Sequence, residues 1–197
     1  MSKRIGLFGG TFDPVHKGHK SIAQSFLNST NLDELWILLT PFPPHKQGNN
    51  QASYLHRKKM LDLAFSGSKN LKILTIENDL PKPSYSFNTI QHLKYNYPEF
   101  KFLYCIGGDN LASFNTWKNH EKILNEVELL VANRPGTNYS EVEDYIIEKS
   151  IFVNHKPISV SSSQIKEHID QRDVLKKLLP EKVLDFIISE AIYRKTV

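Results

Sequence analysis

Two histidines close the segment Gly9-Gly10-Thr11-Phe12-Asp13-Pro14-Val15-His16-Lys17-Gly18-His19. An apolar run, Ile5 to Phe8, leads into it and an amphipathic run, Ser21 to Leu27, follows, which reads as strand, glycine-rich turn, helix. A helix that begins here offers unpaired N–H groups and the positive end of its dipole, a combination suited to phosphate. Adjacent glycines let the backbone approach a ligand closely, and Pro14 stiffens the turn. Three residues apart at a helix start, His16 and His19 could both reach one anion. With a reference pKa of about 6.5, imidazole serves near neutral pH as a neutral donor or a cation. The segment lacks the Gly-Lys-Ser/Thr of a P-loop and the Gly-x-Gly-x-x-Gly of a dinucleotide site. Zinc would need a further ligand, and a metalloprotease helix would carry glutamate where Lys17 stands, so no metal ligands are assigned. The plain alternative is a pair of surface histidines; the flanking glycines and Pro14 favour phosphate contact.

Later segments carry chemistry of the same kind, each with a plain reading beside it. Pro43-Pro44-His45-Lys46 puts a cation on a stiff loop, where a solvated lysine is the ordinary case. Arg57, on the next helical run, is a fainter candidate for the same role, with a surface salt-bridge residue as its plain reading. Pro83-Ser84-Tyr85-Ser86-Phe87-Asn88-Thr89 suits a capped helix start, with Ser86 as the cap. Gly107-Gly108-Asp109-Asn110, followed by Trp117, reads as a turn with Asp109 capping a short helix, or as a close backbone approach beside a carboxylate that can accept sugar hydroxyls. Trp117 is a core tryptophan or a surface for stacking a ring. Arg134 precedes Pro135-Gly136, a turn. Ser161 and Gln164, in Val160-Ser161-Ser162-Ser163-Gln164-Ile165-Lys166, have capping-box spacing.

Taken together, these segments carry a resemblance. Gly9 to His19 resembles the signature of the nucleotidyltransferase superfamily with the (His/Thr)-x-Gly-His motif, and its longer form, through Asp13-Pro14-Val15-His16, resembles bacterial nicotinate-nucleotide adenylyltransferases. Pro-Pro-His-Lys, Pro-Ser-Tyr-Ser, Gly-Gly-Asp with Trp117 and the serine run are similar to later segments of that family, in order. The resemblance implies that His16 and His19 are catalytic, holding the reacting and leaving phosphates. It implies ATP and phosphate contacts from Gly9, Gly10, Thr11, Phe12, Lys46, Arg134, Ser161, Ser162, Ser163 and Lys166. It places the nicotinate nucleotide against Tyr85, Thr89, Gly107, Asp109 and Trp117. Lys166 stands where the family usually has arginine, which keeps the charge and loses the bidentate fork. Lys118 stands where relatives often carry an aromatic. The implied activity is transfer of AMP from ATP to nicotinate mononucleotide, with magnesium carried mainly by ATP. Alternatives are a sister enzyme acting on nicotinamide mononucleotide or phosphopantetheine, and a nucleotide-binding module without catalysis.

The elements that must position these residues alternate. Strand-like runs at Ile5–Phe8, Leu35–Leu39, Leu71–Ile76, Phe102–Ile106, Glu128–Ala132 and Ile151–Val153 are separated by helical patterns, the last at Glu181–Tyr193. This predicts an α/β fold: a doubly wound, mainly parallel sheet of five to six strands with a helical C-terminal part, in one domain spanning residues 1–197. Ligands of such sheets bind beyond the carboxyl ends of the strands, where the unusual segments fall. Of the 197 residues, 25 are basic and 21 acidic, a net +4 that reads as an ordinary surface or a mild attraction for polyanions. Arginines clustered with aromatics are absent, which argues against nucleic acid as a partner. The single cysteine, Cys105, lies in an apolar run and reads as a core thiol. No apolar run approaches the ~18 residues of a membrane span, and no secretory stretch opens the chain, so a cytoplasmic protein is expected. An assembly of identical chains is compatible with the sequence.

Overall fold

The structure, a computed structural model, describes residues 2–29, 31–41, 51–133 and 136–194. Strands β1 (Arg4–Gly10), β2 (Glu34–Leu39), β3 (Leu71–Leu74), β4 (Lys101–Gly107), β5 (Glu128–Ala132) and β6 (Ser150–Val153) form one sheet in the order β3-β2-β1-β4-β5-β6. Every adjacent pair is parallel. Helices α1 (Lys17–Ser29), α2 (Tyr54–Ala64), α3 (Ser86–Asn96), α4 (Gly108–Ala112), α5 (His120–Glu126) and α6 (Asp144–Glu148) lie between the strands. Helices α7 (Ser162–Glu167), α8 (Arg172–Leu178) and α9 (Glu181–Ser189) follow β6.

Both faces of the sheet are covered, so the central strands are apolar at nearly every position. Successive residues divide between two cores. Leu35, Ile37 and Leu39 of β2, with Leu103 and Cys105 of β4, face the core that includes Phe26 of α1, Met60 of α2 and Leu184 of α9. Trp36 and Leu38, with Phe102, Tyr104 and Ile106, face the other, with Ile90 and Leu93 of α3 and Ile123 of α5. Gly6 is required by closeness: a Cβ there would lie 2.6 Å from the Leu32 side chain and 2.8 Å from that of Leu35.

The order reverses at β1, whose partners are β2 on one side and β4 on the other, and a crevice opens at their carboxyl ends. The sheet has six strands and all are parallel, at the upper end of the expected number. Three local expectations differ. Gly9 and Gly10 belong to β1, in register with Leu38 and Leu39, rather than to the turn. The arm between β6 and the last helix contains α8, which the apolar pattern did not single out. The last helix stops at Ser189, because Ala191 (φ 50) and Tyr193 (φ 69) take left-handed backbone that turns Ile192 and Tyr193 inward. No helix among the described residues is long and apolar enough to cross a membrane.

Candidate active site

At the end of β1 the chain passes through Thr11 and Phe12 (φ 47) and the cis Asp13-Pro14 bond into α1. Phe12 is buried between Phe8 (ring centroids 5.6 Å) and His19 (5.0 Å). A Cβ on Gly10 would sit 3.0 Å from the Phe12 ring, so the glycine makes room for the aromatic that backs the site. His16 immediately precedes α1 and His19 is its third residue. The His16 N–H donates to His19 Nδ1 at 3.2 Å, and the His19 N–H donates to His16 Nδ1 at 3.4 Å. This reciprocal pattern is that of a capping box, with imidazoles in place of hydroxyl and carboxylate. The rings stack at 3.7 Å. Because each Nδ1 accepts, the hydrogen-bond pattern puts the proton of each neutral ring on Nε2.

Between them, Gly18 has no space for a side chain: a Cβ would meet Val160 Cγ1 at 2.9 Å and the His16 ring at 3.0 Å. Val160 leads directly into the serine run, so this contact joins the histidines to α7. Ser161 caps α7 by accepting the Gln164 N–H at 3.1 Å, and the Ser162 hydroxyl donates to Pro14 O at 3.2 Å. The histidine loop and the serine run, 145 residues apart from His16 to Ser161, thus share one wall of a cleft of about 860 Å³. Gly9, Gly10, Thr11 and Phe12 line the same cleft.

Aromatic side chains line the same cleft. Tyr104 of β4 shares a 2.8 Å hydrogen bond with Ser86, the first residue of α3, and a Cβ on Gly9 would lie 2.9 Å from its hydroxyl. Burial raises the Tyr104 pKa, so the phenol stays neutral. Trp117, after a short 3-10 turn at Phe114–Thr116, meets Tyr104 edge-on at 6.1 Å. Lys118 lies over the Tyr85 ring, 4.5 Å from its centroid. Gly107 and Asp109 also line the cleft; a Cβ on Gly107 would meet nothing within 4 Å, leaving its backbone open to a ligand.

The cytidylyltransferase-like family matches residues 7–168. The nicotinate-nucleotide adenylyltransferase of Bacillus subtilis is 32% identical over 191 residues, covering 97% of this chain and 98% of the relative. A "probable nicotinate-nucleotide adenylyltransferase" of Bacillus licheniformis is 36% identical over the same length, with the same shares. The chain belongs to the nicotinate-nucleotide adenylyltransferase family. Its fold is that of the Plasmodium falciparum nicotinic acid mononucleotide adenylyltransferase solved with NaAD, at TM-score 0.81 and 19% identity, covering 97% of both chains.

Of the residues that the family resemblance singled out, His16, His19, Gly9, Gly10, Thr11, Phe12, Ser161, Ser162, Ser163, Tyr85, Gly107, Asp109 and Trp117 line one cleft. Lys46 and Arg134 lie outside the described residues. Two residues are not among those lining the cleft. Thr89 is 1% exposed, and its hydroxyl donates to Glu77 Oε1 at 2.9 Å; it holds α3 to the segment after β3 and is not in the cleft lining. Burial raises the Glu77 pKa against the lowering effect of that bond. Lys166 directs its ammonium to Asp13 Oδ2 at 2.5 Å and is likewise not in the lining. Two caps also move. Tyr85, not Ser86, caps α3, freeing the Ser86 hydroxyl for Tyr104. Gly107, not Asp109, caps α4, leaving Asp109 exposed in its first turn.

Arg57 departs furthest from its sequence reading. It is 2% exposed and donates to Thr11 O (2.9 Å), Thr40 O (2.8 Å), Ala52 O (3.3 Å) and Pro41 O (3.4 Å). It therefore ties together the segments leaving β1 and β2. Tyr104, Ser86 and Lys118 are cleft residues that sequence reasoning did not assign; Tyr104 was hidden in a run that reads as pure core. Cys105 is buried, and burial raises its pKa, as suits a core thiol. Among the described residues, no group of three or more histidine, cysteine, aspartate or glutamate side chains is placed to hold a metal ion.

Proposed function

We propose that the protein is a cytoplasmic enzyme that transfers the adenylyl group of ATP to nicotinate mononucleotide, giving nicotinate adenine dinucleotide and pyrophosphate in NAD biosynthesis. The observation that carries the reading is one cleft at the sheet's switch point, lined by two stacked imidazoles, a serine-capped helix start and aromatic rings. Membership of the family supports the choice of acceptor.

In the reaction, an oxygen of the acceptor's 5′-phosphate bonds to the α-phosphorus of ATP as the bond from that phosphorus to the bridging oxygen breaks. The bridging oxygen leaves with its electron pair on pyrophosphate. The attacking phosphate is already an anion, so no protein base is needed. What the protein supplies is alignment of two mutually repelling anions and donors aimed at growing charge. His16 and His19 are suited to this, because each Nδ1 accepts a backbone N–H and the hydrogen-bond pattern places the donor of each ring on Nε2. The hydroxyls of the serine run and the Gly9–Phe12 backbone complete the phosphate wall. Trp117 supplies a ring for stacking the acceptor, Tyr85 lines the same cleft beneath Lys118, and Asp109 is placed to accept ribose hydroxyls. Magnesium would arrive with ATP as part of the substrate. Its removal by chelation should abolish turnover and be reversed by added Mg2+.

The deciding assay is pyrophosphate release from Mg-ATP with nicotinate mononucleotide, nicotinamide mononucleotide and phosphopantetheine compared side by side. Preference for the first is expected. Equal or greater turnover with either of the others reassigns the acceptor, and no release with any of them rejects adenylyl transfer.

A further inference from the structure

Asp13 stands in the loop that carries the two histidines and is 8% exposed. Its carboxylate gathers donors from three distant parts of the chain. The Ala52 N–H reaches Oδ1 at 3.0 Å, the Tyr193 hydroxyl reaches Oδ1 at 2.6 Å, and the Lys166 ammonium reaches Oδ2 at 2.5 Å. The Lys166 ammonium also lies 4.9 Å from the centre of the Tyr193 ring. Asp13, Lys166 and Tyr193 thus close a triangle of charged hydrogen bond, ion pair and cation–π contact.

The triangle is connected to the catalytic wall by helix spacing. Ser162 and Lys166 are four apart on α7 and share a face. Ser162 donates to Pro14 O and Lys166 pairs with Asp13, so two consecutive residues of the histidine loop are pinned to one stripe of α7. Tyr193 braces the same pair from the C-terminal turn, where its left-handed backbone directs the ring inward.

We propose that Asp13, Lys166 and Tyr193 form a latch by which the C-terminal turn sets the position of the serine helix against His16 and His19. Lys166 and Tyr193 are then positioning residues that act through Asp13, and Lys166 is not a phosphate ligand. The kinetic part of the test rests on the adenylyl-transfer reading. The spectroscopic part does not.

The test is a double-mutant cycle of Tyr193→Phe and Lys166→Met, measured as kcat and as KM for ATP. Each single variant should lower kcat about tenfold, with KM within about threefold of wild type, since small misplacements of reacting groups cost turnover first. The double variant should fall about tenfold as well, not about 100-fold, because both changes release the same carboxylate. Lys166→Arg, which keeps the cation, should stay within about threefold of wild type. A rise of tenfold or more in the ATP KM for Lys166→Met, with Tyr193→Phe silent, would make Lys166 a phosphate ligand and overturn the proposal. Multiplicative losses would overturn it too. Independently of turnover, the imidazole proton resonances of His16 and His19, assigned with His→Gln variants, should move in ligand-free Tyr193→Phe and Lys166→Met protein. Unmoved resonances in both folded variants reject the latch whatever the reaction proves to be.

Discussion

Arg57→Met should be among the most damaging single changes in this protein, although Arg57 is not in the cleft lining. The substitution keeps much of the apolar stem and removes the guanidinium. Two of its four bonds are short, to Thr40 O at 2.8 Å and Thr11 O at 2.9 Å; the other two, at 3.3 and 3.4 Å, count for less. Hydrogen bonds from a charged group are worth ~1.5–3 kcal/mol each, and a buried carbonyl left without a donor costs ~1–3 kcal/mol. Against this, methionine avoids the cost of burying a charge, the same cost that lowers the Arg57 pKa. The difference comes to about 3–5 kcal/mol. At ~2–4 °C per kcal/mol for a chain of this size, the melting temperature should drop by about 6–20 °C. Arg57→Lys should recover less than half of that, because one ammonium lacks the planar fork that serves carbonyls from several segments at once. Calorimetry of the three proteins at pH 7 measures this. If Arg57→Met melts within about 3 °C of wild type, the carbonyls of Thr11 and Thr40 have other donors and the guanidinium is not what holds the segments after β1 and β2.

Other expectations follow from single contacts. His19→Ala should lower turnover by about 100-fold or more, the scale of losing one transition-state donor, while a folded variant near wild-type rate would remove His19 from the mechanism. Gly18→Ala should cost ~1–3 kcal/mol of stability by overpacking Val160 and the His16 ring, and Val160→Ala in the same chain should restore at least half of it in urea titrations. Lys72 and Lys3, with the Trp36 indole N–H, lower the Glu34 pKa from 4.5 to about 2. A depressed carboxylate stabilises above its unfolded pKa and loses that contribution as pH falls toward the folded one. Wild type should therefore exceed Glu34→Gln by about 1–2 kcal/mol at pH 7, discounted because both lysines are half-exposed, and the gap should shrink between pH 4.5 and 2. An equal gap at pH 7 and pH 2.5 would contradict this.

The parts of the site legible in the sequence are those fixed by local spacing. Ser161 stands three before Gln164, and the structure shows the cap that this spacing predicts; His16 and His19 stand three apart at a helix start as read, but that spacing does not reveal the reciprocal bonds of their rings to the backbone. The fold was legible for a similar reason, since each strand's apolar run and the helices between them need only local pattern. What could not be read was where a long or buried polar side chain ends. Arg57 read as a surface residue because nothing near it in sequence announces the carbonyls of Thr11 and Thr40, which become its neighbours only when β1 pairs with β2. Thr89 reads as a ligand only through the family resemblance of its segment, and nothing near it in sequence announces Glu77, which follows another strand and accepts its hydroxyl. Lys166 is the instructive case. Its charge, its helix and its distance of four from Ser162 were all available, and that spacing already requires the two side chains to share a face. Ser162 donates to Pro14 O, and Lys166, one turn further along the same stripe, pairs with Asp13, the residue before Pro14. Neither contact is announced by a local pattern, so a charge pair between residues 153 apart appears only once the histidine loop is packed against α7.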